Sequence, residues 1–364
     1  MSSNDIEFRV PATENPTIRG TNSSEFETFK MNETNSLVRE EVQNSLDVID
    51  AEGGNGVTKM DICLYDMKKE DIPCHKEFEQ MFQDNEQYWH EKVTDKKTEA
   101  FFNGVNKALT PKIMRCMRIS DYNNTGLSRD RIDGRCSPWE SMTLGEGVSD
   151  KASGSGGSHG LGKNAAYTTS ALRTVMYETI NREGDALTMG VVKAPSYRKN
   201  NKHHDGYGFF CDKNSKEYEP VKYVGLDKSF DRAGRIGTDK HILAYNADET
   251  EQEIEDKITI AALNSFFVAL AHGRLEINCN NCFEISKDTL DELMSKYEIK
   301  FITSAVQAFA RRFAITRQAS FRYLQQHKAL AFLVEFYDVL HLQSMDDTID
   351  EMLIICRQNG GTLA

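Results

Sequence analysis

Residues 154–163 read Gly-Ser-Gly-Gly-Ser-His-Gly-Leu-Gly-Lys, and a helical pattern follows directly. Because glycine has no Cβ, such a segment lets the backbone approach a ligand closely and take positive φ angles. A loop that runs into a helix N-terminus also directs unpaired N–H groups and a positive dipole end toward an anion. The spacing matches neither the P-loop pattern nor the glycine pattern of dinucleotide-binding folds. Two interpretations therefore stand at this point, a phosphate-binding loop and a flexible Gly/Ser linker.

A helix with two distinct faces is predicted upstream, over residues 35–51. Glu40, Asn44 and Asp47 recur at spacings of four and three, so they share one face. Carboxylate and amide oxygens aligned in this way suit a hard cation and an activated water, although a solvated polar face would give the same pattern. Spacings of four, four and three define the apolar stripe, whose members are Val38, Val42, Leu46 and Ile49.

A strand is predicted over residues 112–119, and it runs into Asp121-Tyr-Asn-Asn-Thr-Gly-Leu127. An Asp at a strand end before an Asn/Gly turn is common turn chemistry. The same position can also direct one carboxylate toward a ligand amine.

Together, these three segments resemble the motifs of the GHKL ATPases, the superfamily of DNA gyrase B subunits, ninety-kilodalton heat-shock chaperones, histidine kinases and MutL-type repair proteins. The helix with Glu40 and Asn44 is similar to the first motif, and residues 121–127 to the second. Residues 156–163 are similar to the third motif, the ATP lid, and Gly237-Thr238 to a fourth that opens a late strand. A looser resemblance is to bacterial ATP-binding proteins associated with restriction and phage defence.

The resemblance implies a two-layer α/β sandwich, the Bergerat ATP-binding fold, with a mixed, mainly antiparallel sheet. It implies ATP and Mg²⁺ as cofactors, with Glu40 as the catalytic base and Asn44 as the metal ligand. Glu41 is a rival base, but it lies about 100° round the helix from Glu40 and is therefore expected to point away from the Asn44 face. The implied nucleotide-binding residues are Asn44, Asp47, Asp121, Gly126, Leu127, Gly156, Gly157, Ser158, His159, Gly160, Leu161, Gly162, Lys163 and Thr238.

The chain departs from the family pattern at two places. Gly126 lies five residues after Asp121 rather than four, and Asn123 stands where a glycine is common, so the turn is expected to bulge. An acidic insertion over about residues 67–109 has charged helical patterns and aromatic residues, which predict one or two extra helices that cap the domain.

The predicted organisation is a polar arm over residues 1–30, an ATP-binding domain over 31–250, and a second, transducer-like α/β domain over 251–364. The sequence leaves open whether the chain is truncated within that second domain. A helix is predicted over residues 163–181, and a strand at the C-terminal run that begins at Met352.

Composition favours a cytoplasmic protein without a membrane segment. The N-terminus is polar, no apolar run approaches the ~20 residues of a membrane helix, and the eight cysteines lack a disulfide spacing pattern. Cys279-Asn-Asn-Cys282 is either half of a metal site or, as its alternating flanks favour, a β-hairpin with a type I′ turn.

The net charge of −12 argues against a protein that coats nucleic acid with its whole surface. Residues 301–334 nevertheless contain no Asp or Glu, and their Arg and aromatic residues fit either nucleic-acid contact or an amphipathic helix with an arginine face.

The expected function is Mg²⁺-dependent ATP hydrolysis that closes the lid and joins two subunits, as a switch in DNA transactions or anti-phage defence. The homodimer, DNA or a partner protein of a defence system are the expected partners. The alternatives are a chaperone-like clamp acting on proteins and a nucleotide-binding module without turnover.

Overall fold

The structure is a computed structural model that describes residues 5–14, 18–21, 26, 33–51, 56–92, 95–131, 136–145, 162–245 and 248–363. The chain divides into two compact units, Met1–Ile285 and Ser286–Ala364. Within the described ranges, none of the helices combines the length and apolar character that a membrane span needs.

The first unit alternates strands and helices along the chain. Its helices are α1 (Glu33–Ala51), α2 (His75–His90), α3 (Lys96–Leu109), α4 (Pro138–Thr143), α5 (Asn164–Thr168) and α6 (Glu251–Ala271). Its strands are β1 (Ile6–Arg9), β2 (Ala12–Thr13), β3 (Thr58–Lys68), β4 (Ile113–Tyr122), β5 (Thr174–Ile180), β6 (Ala186–Lys193), β7 (Tyr197–Lys199), β8 (Lys202–His204), β9 (Tyr207–Asp212), β10 (Val221–Lys222), β11 (Gly237–Ile242), β12 (Leu275–Cys279) and β13 (Phe283–Ile285).

One large sheet organises this unit, with strand order β1-β9-β6-β5-β11-β4-β3-β12-β13 and β10 paired to β6. Its pairings are antiparallel except for that of β12 with β3, which is parallel. Strands β2, β8 and β7 form a small separate sheet. The predicted α+β class with a mixed, mainly antiparallel sheet is therefore confirmed.

Helix α1 covers one face of the sheet, where it packs against β3, α5 and α6. The four residues of its predicted apolar stripe are all buried. The stripe therefore holds α1 on the sheet, so that the helix face beside the stripe lies over the strands.

The predicted insertion forms two helices, α2 and α3, on the opposite face. Phe78, Phe82 and Val105 share a buried apolar cluster with Met176 and Phe210 of the sheet. Strand alternation directs Met176 to the face opposite Tyr177, whose hydroxyl contacts Tyr167 of α5. The sheet thus has helices on both of its faces.

Three expectations about this unit differ from the structure. The helix predicted over residues 163–181 is wrong, because only Asn164–Thr168 is helical and β5 follows; Thr174, Val175 and Thr179 are β-branched residues that favour a strand. Residues Ile6–Arg9, placed in a polar arm, form an edge strand that pairs with β9. The compact unit also continues past residue 250, because β12 pairs with β3.

The second unit is helical in its described residues rather than α/β. Its helices are α7 (Leu290–Arg312), α8 (Arg317–Gln326), α9 (Ala329–Glu335), α10 (Tyr337–Leu340) and α11 (Met345–Gln358). The strand predicted at Met352 is wrong, because that residue lies in α11. Ile349, Met352, Leu353 and Cys356 are buried at helical spacing, and Ser344 caps the helix N-terminus.

Candidate functional site

A cavity of about 170 Å³ lies between α1, the turn after β4, α4 and β11. Its wall brings together segments that are far apart in the sequence. Five of the predicted site residues, Asn44, Asp121, Gly126, Leu127 and Thr238, are among the residues that line it, and the others are Glu41, Ser45, Val48, Asn124, Thr125, Pro138, Ser141, Met142 and Lys240.

Asp121 stands at the end of β4 with its carboxylate fixed on both oxygens. The backbone N–H of Thr238 donates to Oδ1 at 2.7 Å, and Nδ2 of Asn124 donates to Oδ2 at 3.1 Å. Burial raises the pKa of Asp121 above its ordinary range, although the Thr238 N–H and the nearby Arg232 act in the opposite direction. The carboxylate is therefore a largely buried acceptor that is held in one orientation in the cavity wall.

The turn after Asp121 contains two residues in the left-handed conformation. Asn123 has φ +58° and Gly126 has φ +68°. Asparagine tolerates this conformation, so it can replace the glycine that is common in the family. A Cβ on Gly126 would lie 2.5 Å from the Ile180 carbonyl oxygen, so only glycine fits where the turn meets β5.

A short hydrogen-bond chain joins this turn to β11. The backbone N–H of Leu127 donates to Oγ1 of Thr179 at 2.9 Å, and the hydroxyls of Thr179 and Thr238 lie 3.2 Å apart. Gly237 has φ +139°, and its Cα lies so close to Asp121 that a Cβ would overlap the Asp121 carbonyl oxygen. The Gly-Thr pair therefore lets β11 begin directly beside the Asp121 carboxylate.

Helix α1 contributes Glu41, Asn44, Ser45 and Val48 to the wall, a spacing of three, one and three that defines one helix face. Asn44 lies about 40° round the helix from Glu40 and about 60° from Glu41, so both carboxylates flank it. The expectation that Glu41 points away from the Asn44 face is therefore wrong. Glu41 is buried in the cavity wall, where it forms an ion pair with Lys240.

Glu40 and Asp47 lie outside the wall formed by the described residues. The Asp47 carboxylate accepts a hydrogen bond from Nε2 of Gln43 at 2.5 Å, within the same helix. The Glu40 carboxylate is in direct contact with Gly162, where an added Cβ would overlap it. Glu40 therefore lies against Gly162, the last glycine of the glycine-rich segment.

The described part of that segment consists of Gly162 and Lys163. The ammonium of Lys163 donates to the carbonyl oxygens of Ser141 and Gly145, which belong to α4 and the residue that precedes the undescribed stretch. Lys163 therefore joins the start of α5 to α4 and Gly145. Six predicted site residues lie outside the described residues, namely Gly156, Gly157, Ser158, His159, Gly160 and Leu161.

A buried ionic network on the opposite sheet face holds the chain that leads into β11. Glu178 accepts hydrogen bonds from the backbone N–H groups of Val224, Gly225 and Leu226 at 2.8–3.1 Å. Arg232 donates to Asp239 at 3.1 Å and to the carbonyl oxygen of Asp121 at 2.5 Å. These contacts fix Thr238 relative to Asp121.

Contacts within this network lower the pKa of Glu178 below its ordinary value. Burial alone would raise it, but His241, the Leu226 N–H and the Thr188 hydroxyl lower the pKa to about 2. Nε2 of His241 lies 3.2 Å from this carboxylate. Glu178 is therefore an ionised anchor.

Several of these residues were not predicted from the sequence. The start of α4 carries a signal, because Ser137 and Glu140 form a capping box with Pro138 at the first helical position. Lys240 follows Thr238 by two residues and so shares its sheet face. Arg232 has no local signal, since its partners are distant in sequence.

The fit of ATP and Mg²⁺ can be judged from the side chains present. The cavity is smaller than the roughly 300–1,000 Å³ of complete small-molecule sites, so the described residues enclose room for only part of a nucleotide. Across the part of the chain that the structure describes, no three His, Cys, Asp or Glu residues gather as a metal site. Asn44 offers a side-chain oxygen, and Mg²⁺ in proteins is commonly held by few side chains together with water and phosphate oxygens.

The Cys279-Asn-Asn-Cys282 segment is the predicted hairpin. Strands β12 and β13 pair across it, and Asn280 and Asn281 have φ +51° and +54°, as a type I′ turn requires. Cys279 is buried and Cys282 is exposed.

The arginine-containing segment of the second unit is built into amphipathic helices. Phe309 is fully buried, it packs against Phe313 and Tyr323, and Arg312 forms an ion pair with Asp350 at 2.6 Å. These contacts favour the amphipathic-helix interpretation of residues 301–334.

A comparison with known protein families matches the C-terminal part of the chain. Residues 300–359 match a family model described as "Protein of unknown function (DUF3791)". No curated protein matches the chain.

Proposed function

We propose that this chain is a GHKL-type ATPase of the Bergerat fold, which binds and hydrolyses ATP with Mg²⁺. The observation that carries the proposal is the cavity itself, because segments singled out separately in the sequence converge there on the Asp121 carboxylate. Asn44, Asp121, Gly126 and Thr238 come from three segments that are far apart in the sequence, and all four line this one cavity.

Recognition of adenine would rest on Asp121. An ionised carboxylate has about four lone-pair sites, and the two protein donors at Asp121 occupy only part of this capacity. The remaining lone pairs can accept from the exocyclic amine of adenine. Guanine carries an oxygen at that position, so two acceptors would face each other.

Hydrolysis would require a base near the lid. Glu40 contacts Gly162 at the end of the glycine-rich segment, and a carboxylate there can orient a water molecule and accept its proton. Asn44, one helical turn further along α1, would hold the metal through its side-chain oxygen. Bound Mg²⁺ supplies charge neutralisation at the phosphates.

Lys163 and the glycine-rich segment would cover the phosphates. The Lys163 ammonium now donates to two backbone carbonyl groups, and it would exchange them for phosphate oxygens when the lid closes. Closure would join two subunits, so that hydrolysis times a switch in DNA transactions or anti-phage defence.

The test is phosphate release from Mg-ATP by the full chain. Glu40→Gln should keep ATP affinity within about threefold and lower turnover at least a hundredfold, the lower range for loss of a general base. Asn44→Ala should instead remove the difference between ATP affinities measured with Mg²⁺ and with EDTA. Binding without phosphate release in the wild type would favour the nucleotide-binding module, and no binding would refute the proposal.

A further inference from the structure

The cavity wall contains an ion pair that the proposed chemistry does not use. The Lys240 ammonium donates to the Glu41 carboxylate, and both residues are more than nine-tenths buried. Both residues line the cavity, Glu41 from α1 and Lys240 from β11. The pair therefore bridges the helix and the sheet at the inner side of the site.

Burying two charges is unfavourable, because both lose their hydration, and apolar residues of similar size often stabilise a fold as well or better. Stability alone is therefore a weak reason for a charged pair in this wall. A ligand that makes its own polar contact with the pair would be a better reason for placing two charges there.

The ammonium has capacity for such a contact. A lysine has three N–H donors, and Glu41 is the partner that the structure gives to Lys240. Lys240 lies two residues after Thr238 on the same strand face, about 7 Å along β11, and its flexible four-carbon side chain can span that distance. A donor thus lies near the Asp121 acceptor.

This arrangement is complementary to one edge of adenine. The exocyclic amine is a donor, and it is flanked by ring nitrogens N1 and N7, which are acceptors. We propose that Lys240, held in place by Glu41, is a base-binding residue that donates to the ring nitrogen beside the amine bound by Asp121. The inference rests on the proposed function, and it adds a second contact to base recognition.

A paired change of protein and ligand tests this assignment. The double variant Glu41→Gln with Lys240→Met removes both charges together, so neither is left buried without its partner. Calorimetry would compare wild type and double variant with ATP, 7-deaza-ATP and 1-deaza-ATP, each analogue lacking one ring acceptor.

The wild type should bind one of the two analogues about tenfold more weakly than ATP, which corresponds to about 1.4 kcal/mol. The double variant should bind ATP about tenfold more weakly and should bind that same analogue as tightly as ATP. If the ion pair were purely structural, the double variant would bind all three ligands more weakly and by the same factor.

Three outcomes would overturn the inference or its basis. Equal wild-type affinity for ATP and both analogues would refute the contact even if the variant failed to fold. If the affinity ratios of ATP to the two analogues were the same in the double variant as in the wild type, the contact would belong to another residue. A wild type that binds none of the three ligands would refute the proposed function itself.

Discussion

Replacing Asp121 by Asn changes one oxygen to an NH₂ group in the cavity wall and leaves the shape of the side chain unchanged. The Thr238 N–H, 2.7 Å from Oδ1, needs an acceptor, so the new amide oxygen has to face it. The NH₂ group then takes the other position, where it meets the Nδ2 donor of Asn124 and the ligand amine. Asn124 is held in its orientation, because its own Oδ1 accepts from the Thr125 N–H at 2.7 Å.

A mispaired buried polar group costs about 1–3 kcal/mol, which corresponds to a roughly 5- to 150-fold loss of ATP affinity. The folded state should tolerate the change, because burial already raises the pKa of Asp121 and so disfavours its charge. Wild-type ATP affinity should also fall as pH falls through this raised pKa, because the protonated carboxyl group no longer offers two acceptors. The variant should lack that pH dependence.

Calorimetric titration with Mg-ATP measures the affinity, and thermal unfolding checks the fold. Asp61→Asn is a matched control, since Asp61 pairs with Ser120 in the register of β3 and β4 and therefore faces the other side of the sheet. It should leave ATP affinity unchanged. Affinity of Asp121→Asn within twofold of wild type, or an equal loss in both variants, would refute the assignment of Asp121.

Three further predictions concern the lid and the fold. Gly162→Ala should lower turnover more than tenfold, because its Cβ would overlap the Glu40 carboxylate. Gly104→Ala in α3, where a Cβ meets no atom within 4 Å, should retain turnover and raise the free energy of unfolding by roughly 0.5–1 kcal/mol. Equal turnover in both variants would contradict this prediction. The pKa of Glu178 in the folded state is lowered to about 2, so its contribution to stability is present above pH 4.5 and is lost as pH falls toward 2. The free energy of unfolding of the wild type, measured with denaturant, should therefore fall by roughly 2–4 kcal/mol over that window. A Glu178→Gln variant whose free energy of unfolding falls equally with pH would contradict this prediction. A non-hydrolysable ATP analogue, but not ADP, should protect residues 153–162 from proteolysis and raise the mass in sedimentation to that of a dimer; identical behaviour with both nucleotides would mean that the segment is a linker.

Local patterns predicted two of the elements that line the cavity, α1 and the turn after β4. The spacing of apolar residues identified α1, and the Asn and Gly residues after Asp121 identified a turn whose left-handed positions are Asn123 and Gly126. The hairpin at Asn280 and Asn281 was equally local. In each case, neighbouring residues determine the backbone conformation.

Contacts between distant segments were not predictable in the same way. The pairing of Glu41 with Lys240 joins α1 to β11, and the contact of Arg232 with Asp121 spans 111 residues. The helix predicted over residues 163–181 was wrong because sheet pairing prevailed over a helical pattern from Thr174 onward. Likewise, a short apolar run at Met352 does not distinguish strand from helix, and packing within the second unit made it helical.

Adenine is proposed to bind in this cavity, against Asp121. A crystal structure of the full chain with Mg²⁺ and a non-hydrolysable ATP analogue measures this directly. The exocyclic amine should lie within about 3.2 Å of an Asp121 carboxylate oxygen, with the base beneath α1 and the phosphates beside Gly162 and Lys163. A nucleotide bound elsewhere, or an adenine whose amine points away from Asp121, would contradict it.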